Sequence, residues 1–348
     1  MRPKRNSTWK PTGQTLGSGG QGQVRLVTLD APGSDGTQFA QKILRNSQSD
    51  QARTRFKQEI EALMELIDEP GIINVYDFSI EGEKKHYYVM DYHEGAKSLD
   101  KIIFSKSNPF HGNTLGSLGL FERIVQAIEV CSTNSRPIFH RDINPKNILF
   151  LEDGSIRLID FGVCQFEDGQ IITLYGEAVG ARNYASPECE VGDVAGAYSD
   201  LYSAAKVLWS AITSRPAFPR EDRVFNDMSM QKVFPEIPET WHLSHIFERT
   251  IRKDVQYRCQ SASHVSFLIT NIRRIIEGGF PPVEQTIDHC PSCGWSGGII
   301  GNYSDPYQRF GVSDNRKPPV LHCTMCGFVF VRDYAVLNTF ISNRMGFS

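Results

Sequence analysis

Apolar residues follow two different patterns along the chain, and the change between them divides the sequence. In the first part the apolar runs are short and extended, which predicts strands. These strands are predicted over residues 15–29, which include a glycine-rich turn, 38–44 and 87–91. Apolar residues three or four positions apart predict one helix among them, over 53–67. Residues 13–92 are therefore predicted to form a β-rich lobe.

Beyond this lobe the apolar spacing is mostly helical. Helices are predicted over residues 118–131, 199–213, 243–252 and 261–276. Between the first two lies a stretch dense in Asp, Asn and Gly, residues 140–162, which predicts loops and short strands. The glycines and prolines of residues 278–282 predict the end of the last helix and a linker over 278–289. The predicted fold class is α+β, with a helical lobe over 93–277 and a small cysteine-bearing region after the linker.

Composition and charge exclude several classes of protein. A chain of 348 residues with 40% hydrophobic residues predicts two or three structural units. The 37 basic residues do not exceed the 40 acidic ones, so a nucleic-acid partner is not expected.

No apolar run approaches the ~18 residues of a spanning helix, and the basic first ten residues lack a signal sequence, so no membrane partner is expected. Four single cysteines and two Cys-x-x-Cys pairs favour a reducing compartment, which predicts a cytoplasmic location.

A glycine-rich segment and a lysine offer a site for phosphate. Gly17, Gly19 and Gly22 would let backbone N–H groups approach phosphate oxygens, because glycine has no Cβ. The same segment read alone is also typical of an ordinary hairpin turn. Lys42 follows on the next strand, and Glu59 on the predicted helix could pair with it. Glu61 is the competing partner, but the apolar stripe of the helix favours Glu59.

Two further motifs supply carboxylates and an amide. The segment His140 to Asn147 reads His-Arg-Asp-Ile-Asn-Pro-Lys-Asn, and Asp160 opens Asp-Phe-Gly. Asp142 could orient a substrate hydroxyl, while Asn147 and Asp160 offer the oxygen ligands that Mg²⁺ prefers. Asp and Asn are also common in turns, but turn formation does not explain both motifs in this order and at this separation.

Residues 13–277 resemble the eukaryotic-type (Hanks-type) protein kinase family, whose motif set these segments match. The resemblance implies a bilobal fold that binds Mg·ATP. It also implies transfer of the γ-phosphate to Ser or Thr hydroxyls of protein substrates, with autophosphorylation.

The resemblance assigns roles to individual residues. Asp142 would be the catalytic base, Lys42 and Glu59 a catalytic ion pair, and Asn147 and Asp160 the Mg²⁺ ligands. Nucleotide binding would fall to Gly17, Gly19, Gly22, Val24, Ala40, Lys42, the gatekeeper Met90, and the hinge residues Asp91 and Tyr92. Glu188, Asp200 and Arg258 would stabilise the helical lobe, with Arg258 and Glu188 forming a buried salt bridge.

Two residues depart from the family pattern near the transferred phosphate. Asn144 stands where serine/threonine kinases usually have lysine, and Ala181 where they usually have threonine. Lys146 is a candidate replacement for the missing cation. The departures keep two alternatives open: a nucleotide-binding scaffold with vestigial chemistry, and a kinase of a non-protein acceptor. Serine or threonine remains favoured over tyrosine, because the tyrosine-kinase form of the loop is also absent.

The activation segment offers two candidate phosphorylation sites, Thr173 and Tyr175. Arg141 precedes the catalytic aspartate and could pair with a phosphate in that segment. Autophosphorylation at Thr173 is the hypothesis, and a segment that needs no phosphate is the alternative.

The last part of the chain, residues 290–348, predicts a zinc-ribbon-like module. Cys290, Cys293, Cys323 and Cys326 form two Cys-x-x-Cys pairs, each followed by glycine, which is the pattern of a structural Cys₄ zinc site. Redox dithiols are the alternative, and His289 or His322 could replace one cysteine. Residues 280–348 hold five basic and five acidic side chains, so this neutral module fits a docking surface for a protein substrate or a brace on the kinase lobe. It could also be the working part, with the kinase lobe regulating it.

Overall fold

The computed structural model describes most of the chain up to residue 278 and three short strands beyond it. The described residues are 3, 5–19, 22–32, 34, 36–45, 49–80, 86–167, 183–219, 223–224, 227–278, 299–301, 320–323 and 329–331. None of the helices in these ranges combines the length and the apolar character that a membrane-spanning segment needs.

An antiparallel sheet forms the first lobe. Its strands are β1 (Trp9–Ser18), β2 (Gly22–Leu29), β3 (Gln38–Leu44), β4 (Val75–Ser79) and β5 (Tyr87–Asp91). They lie in the order β1-β2-β3-β5-β4. The register places Ala40 opposite Met90 and Lys42 opposite Tyr88. Because residues two apart on a strand share a face, these four side chains lie on one side of the sheet.

The opposite side of the sheet has its own small core. Val27, Leu29, Phe39 and Val89 are buried there together. The ring of Trp9 packs edge-on against Phe39, with 5.2 Å between ring centroids, so the start of β1 closes this face.

One helix, α1 (Asp50–Glu65), packs beside the sheet. Ser49 is its N-cap: the Ser49 side chain accepts a hydrogen bond from Ala52 N–H and so satisfies one free donor of the first turn. Phe56, Ile60 and Leu63 form its buried apolar stripe. Glu59 is buried on the same side of the helix. Burying a carboxylate costs free energy unless the group has a partner.

The second lobe is helical. Its helices are α2 (Leu99–Ile103), α3 (Thr114–Thr133), α4 (Pro187–Val191), α5 (Ala197–Thr213), α6 (Met230–Val233), α7 (Leu243–Thr250) and α8 (Ala262–Gly278). Helix α5 is buried from Ser199 to Thr213, and it contacts α3, α7 and α8. It is therefore the central element of this lobe.

Short strands and the small sheets that they form position the loops of the helical lobe. One sheet contains β6 (Lys97–Ser98), β8 (Ile148–Phe150) and β9 (Ile156–Leu158), and β7 (Ile138–Phe139) pairs with β10 (Gln165–Phe166). Residues 140–147 connect β7 to β8, and residues 159–164 connect β9 to β10. The pairing therefore brings these two connections to the same edge.

Three strands of the C-terminal region form a separate antiparallel sheet in the order β11 (Ile299–Gly301), β12 (Val320–Cys323) and β13 (Val329–Val331). Ile299 lies opposite Cys323 in this sheet. Of the four paired cysteines, Cys323 lies in a described strand, and Cys290, Cys293 and Cys326 lie outside the described residues.

The observed elements confirm the predicted α+β bilobal fold, with three differences in detail. Strand β1 begins at Trp9, ahead of the predicted lobe, and β4 has no counterpart among the predicted strands. Helix α3 begins at Thr114, four residues before the predicted start, because the Asn113 side chain accepts from Gly116 N–H at 2.9 Å and caps the helix there.

Acid should destabilise the fold in part through a buried histidine before α7. Burial lowers the pKa of His242 from its ordinary 6.5 to about 4. Below pH 6.5 the unfolded chain therefore takes up a proton that the folded chain does not, so stability falls from pH 6.5 toward pH 4. We expect His242→Leu to flatten the fall in thermal midpoint across this window relative to wild type. An unchanged slope would contradict the assignment.

Candidate active site

A buried lysine of the first lobe faces two carboxylates. Lys42 Nζ lies 2.6 Å from Glu59 Oε1 on α1 and 3.2 Å from Asp160 Oδ1 of the helical lobe. The Tyr88 hydroxyl donates to the same Glu59 oxygen at 2.8 Å. Burial alone would lower the pKa of Lys42, but Asp160 and Glu59 outweigh it and hold that pKa well above its ordinary value. Lys42 is therefore a cation held between the lobes.

The same cation keeps Asp160 ionised. Burial acts to raise the pKa of the Asp160 carboxyl, but Lys42 holds it below its ordinary value. The residue lies in the left-handed backbone region, with φ of 65°. Its neighbour Ile159 donates its N–H to the carbonyl of Asn147 at 3.0 Å, which fastens this connection to the loop before β8. Asp160 and Asn147 are thus brought to one place.

Two side-chain amides hold the carboxylate of Asp142. Asn147 Nδ2 donates to Oδ2 at 2.7 Å, and Asn144 Nδ2 donates to Oδ1 at 2.8 Å. Each carboxylate oxygen of Asp142 therefore accepts a hydrogen bond from one side-chain amide. Since the amide nitrogen of Asn147 faces Asp142, its Oδ1 is the atom that can face a cation.

Helix α5 anchors the loop that carries Asp142. The Asp200 carboxylate accepts the backbone N–H groups of His140 and Arg141, both at 2.8 Å. Burial lowers the pKa of His140 to about 4, so its imidazole is neutral. A neutral ring can donate from Nε2 to the Ile159 carbonyl at 3.1 Å and accept from Asp142 N–H at Nδ1 at 3.3 Å. The loop is thereby tied to both α5 and the Asp160 connection.

Apolar side chains adjoin Lys42 on the inner face of the sheet. Val24 lies opposite Lys42 in the β2–β3 pairing, and the cross-strand neighbours Ala40 and Met90 are buried. Tyr92 packs against the same core. A flat aromatic base would contact apolar side chains here, and apolar walls with a few placed polar groups are typical of cofactor pockets.

The side chain of Asp91, at the end of β5, is already engaged. Its carboxylate accepts from Tyr76 Oη at 2.5 Å and from Asn74 Nδ2 at 3.0 Å. The backbone next to it, rather than this carboxylate, is therefore what the segment can offer a nucleotide.

The glycine-rich turn between β1 and β2 is closed by a bond from Gly19 N–H to the Gly22 carbonyl at 2.9 Å. A Cβ at Gly22 would lie 2.7 Å from the Ile43 carbonyl oxygen, so a side chain there would displace the backbone. Arg45 donates to Ser18 Oγ and to the Gly19 carbonyl, which braces the turn from β3.

The structure brings Lys42, Glu59, Asp142, Asn147 and Asp160 to one cleft between the lobes. Glu61, the competing partner, pairs instead with Arg136 at 2.5 Å. Lys146 is exposed, and no ion pair joins it to Asp142 within the described part of the chain. Thr173, Tyr175 and Ala181 lie outside the described residues.

Sequence reasoning missed three contacts of this site. Tyr88 holds Glu59, Tyr76 holds Asp91, and Asn144 holds Asp142. The two tyrosines gave only a weak signal in the sequence. That Tyr88 lies opposite Lys42 follows only once the register of the β3–β5 pairing is known. For Asn144, the sequence shows that a cation is absent but not which hydrogen bonds its amide makes.

The salt bridge predicted between Arg258 and Glu188 in the helical lobe is present. Arg258 donates from Nη1 and Nη2 to the two carboxylate oxygens of Glu188, at 2.6 and 3.0 Å, and both side chains are buried. Burial acts to raise the pKa of Glu188, but Arg258 and Ser199 hold it below its ordinary value. The pair joins α4 to the segment before α8.

Together the two-lobed fold and the residues gathered between its lobes have the arrangement of a protein kinase domain. Comparison with known proteins supports this assignment. The family model described as "Protein kinase domain" matches residues 11–271. The chain belongs to the protein kinase family, which confirms the resemblance inferred from the motifs.

Its relatives include several bacterial serine/threonine kinases. The chain is 30% identical to the probable serine/threonine-protein kinase PknB of Bifidobacterium longum, over 77% of this chain and 40% of that protein. It is 30% identical to the serine/threonine-protein kinase PrkC of Bacillus subtilis, over 72% and 38%. It is 26% identical to PknB of Mycobacterium tuberculosis, over 88% and 49%. The chain thus spans less than half the length of each of these relatives.

Proposed function

We propose that the chain is a serine/threonine protein kinase that transfers the γ-phosphate of Mg·ATP to protein substrates. The observation that carries the proposal is the convergence of Lys42, Asp142, Asn147 and Asp160 beside the apolar side chains of the inner sheet face. Family membership and the names of the relatives, all serine/threonine-protein kinases, support the acceptor class.

In the proposed reaction each residue has a distinct task. The substrate hydroxyl attacks the γ-phosphorus, a new O–P bond forms, and the bond to the bridging oxygen of ADP breaks. Asp142 accepts the hydroxyl proton as that bond forms. Lys42, fixed by Glu59, holds the α- and β-phosphates, and the backbone at Gly17, Gly19 and Gly22 lies against the phosphate tail, since no Cβ keeps it away. The base lies in the pocket lined by Val24, Ala40, Met90 and the backbone of residues 91–92.

The donor set of the cleft fits Mg²⁺. Asp160 is held as an anion, and the amide nitrogen of Asn147 faces Asp142, which leaves its oxygen toward the cleft. Two hard oxygen donors plus substrate phosphates are the ligands that Mg²⁺ takes in such sites. Bound there, the ion would offset charge on the phosphates.

We further propose three chain regions: a kinase domain over 13–277, a linker over 278–289 and a Cys₄ module over 290–348. Four other cysteines, Cys131, Cys164, Cys189 and Cys259, are free and buried, in keeping with a reducing, cytoplasmic compartment.

Two observations support a structural zinc ion in the C-terminal module. The cysteines occur as two Cys-x-x-Cys pairs, and Cys323 ends a strand of a small antiparallel sheet. No metal-holding cluster is found within the residues that the structure describes, and three of the four cysteines lie outside them. Zinc would cross-link a module too small for a large core of its own. The module would dock a protein substrate.

Native mass spectrometry tests the zinc proposal. We expect one zinc per chain in the wild type and none in Cys290→Ser/Cys293→Ser. A zinc-free wild-type protein purified without chelator would contradict it.

Autophosphorylation at Thr173 is also proposed, with Arg141 as the partner of the phosphate. After incubation with Mg·ATP the wild type should gain phosphate by intact mass, and Thr173→Ala should gain less. No gain in the wild type would contradict it.

A transfer assay tests the proposed function itself. Radiolabelled ATP should label protein substrates in the presence of wild type and not of Asp160→Ala. Equal labelling by both would contradict a kinase, and labelling of RNA or metabolites alone would show a non-protein acceptor.

A further inference from the structure

The amide of Asn144 is held at both ends. Its Nδ2 donates to Asp142 Oδ1 at 2.8 Å and to the Asp142 carbonyl at 3.2 Å. Its Oδ1 accepts from Lys146 N–H at 3.0 Å and caps the 3-10 turn Pro145–Asn147. The side chain is buried, so these contacts are made away from bulk water. One orientation of the amide therefore satisfies both a donor and an acceptor role.

Asn144 and Asn147 each donate a hydrogen bond to a different oxygen of the Asp142 carboxylate. Asn147 Nδ2 reaches Oδ2 at 2.7 Å while Asn144 reaches Oδ1 at 2.8 Å. Hydrogen bonds to an ionised acceptor are stronger than those between neutral groups. With a donor on each oxygen, rotation of the Asp142 carboxylate would break one bond or the other.

A lysine at position 144 would supply a different combination. Its ammonium has donors and no acceptor, so it could not cap the turn through Lys146 N–H. The side chain of Lys146 is exposed, and among the described residues it makes no ion pair with Asp142. The structure therefore gives no evidence that Lys146 replaces the missing cation. Asn144 thus supplies orientation without charge.

We propose that Asn144 is a positioning residue that fixes the Asp142 carboxylate for the phosphotransfer step. This rests on the proposed kinase function. Loss of its hydrogen bond should slow the chemical step and leave nucleotide binding intact, because the hydrogen bonds of its side chain to described residues are with Asp142 and Lys146.

Two variants separate positioning from capping. Asn144→Ala removes both roles, whereas Asn144→Asp keeps a good capping oxygen and loses the donor. Asp would also place a second carboxylate against Asp142. We expect kcat to fall about 10- to 100-fold in both variants, the range expected for a hydrogen bond to a charged group. The KM for ATP should stay within about twofold of wild type, because binding is untouched.

Lys146→Ala is the matched control on the same loop, and its kcat should stay within about twofold of wild type. An Asn144→Asp kcat near that of wild type would overturn the proposal, since capping alone would then explain the residue. A raised KM with unchanged kcat would overturn it as well.

A structural readout makes the inference independent of activity. A high-resolution structure of Asn144→Ala should show the Asp142 carboxylate rotated or in more than one conformation. A single, wild-type orientation would overturn the proposal. If the wild type labels no more substrate than Asp160→Ala, the proposed function fails instead, and the structural comparison still decides the role of Asn144.

Discussion

Replacing Lys42 with methionine should lower kcat/KM for phosphotransfer by about a thousandfold, which corresponds to roughly 4 kcal/mol of transition-state stabilisation. The ammonium is the common partner of Glu59 and Asp160, at 2.6 and 3.2 Å. Breaking a buried ion pair by removing one partner costs about 3–5 kcal/mol, because a buried charge is left uncompensated. The variant should also lose affinity for the phosphates of ATP. Transfer from labelled ATP and titration with a fluorescent nucleotide would measure the two effects.

An exposed lysine of the same lobe supplies the control. Lys10 pairs with Asp30 at 2.8 Å, but 68% of its side chain is exposed, so the pair contributes little. Lys10→Met should retain wild-type transfer. If Lys42→Met kept more than a tenth of the wild-type kcat/KM, Lys42 would not be the phosphate-binding cation.

Replacing Arg258 with leucine should lower the free energy of unfolding of the helical lobe by about 3–5 kcal/mol. Arg258 forms a bidentate pair with Glu188 and also donates to the backbone carbonyls of Arg252 and Lys253. Among the described residues, leucine would leave the buried Glu188 carboxylate with Ser199 as its remaining side-chain donor. Urea unfolding followed by tryptophan fluorescence would measure the loss, since Trp209 is buried in α5 of this lobe.

Arg273→Ala is the comparison for this prediction. Arg273 of α8 pairs with Glu122 of α3 at 2.7 Å, but both side chains are about a third exposed. Water screens such a pair, so its loss should cost under about 1 kcal/mol. Equal losses in the two arginine variants would contradict the account of the buried pair.

Local motifs made the catalytic core predictable from sequence. The Asp142 loop and Asp160 occupy connections on either side of the β8–β9 hairpin, and a hairpin returns its two ends to one place whatever the rest of the fold does. The choice of Glu59 over Glu61 followed from the apolar stripe of α1, and the structure pairs Glu61 with Arg136 instead.

Contacts between distant segments were not predictable in the same way. Trp9 donates to Asp77, 68 residues away, at 2.6 Å, and this bond depends on which face of the sheet each strand presents. Tyr88 reaches Glu59 only because β5 pairs with β3 in one particular register. Asn144 was the least predictable, since a residue type reveals the charge it lacks but not the hydrogen bonds that its loop geometry allows.

Crystals grown with Mn²⁺ and a non-hydrolysable ATP analogue would test the central claim most directly. Anomalous scattering should place Mn²⁺ within about 2.0–2.3 Å of Asn147 Oδ1 and an Asp160 carboxylate oxygen, distances expected for hard oxygen ligands. The analogue's phosphates should contact Lys42, and its base should lie between the sheet and the helical lobe. Nucleotide or metal bound away from this cleft, with Asn147 and Asp160 making no contact to either, would contradict the account.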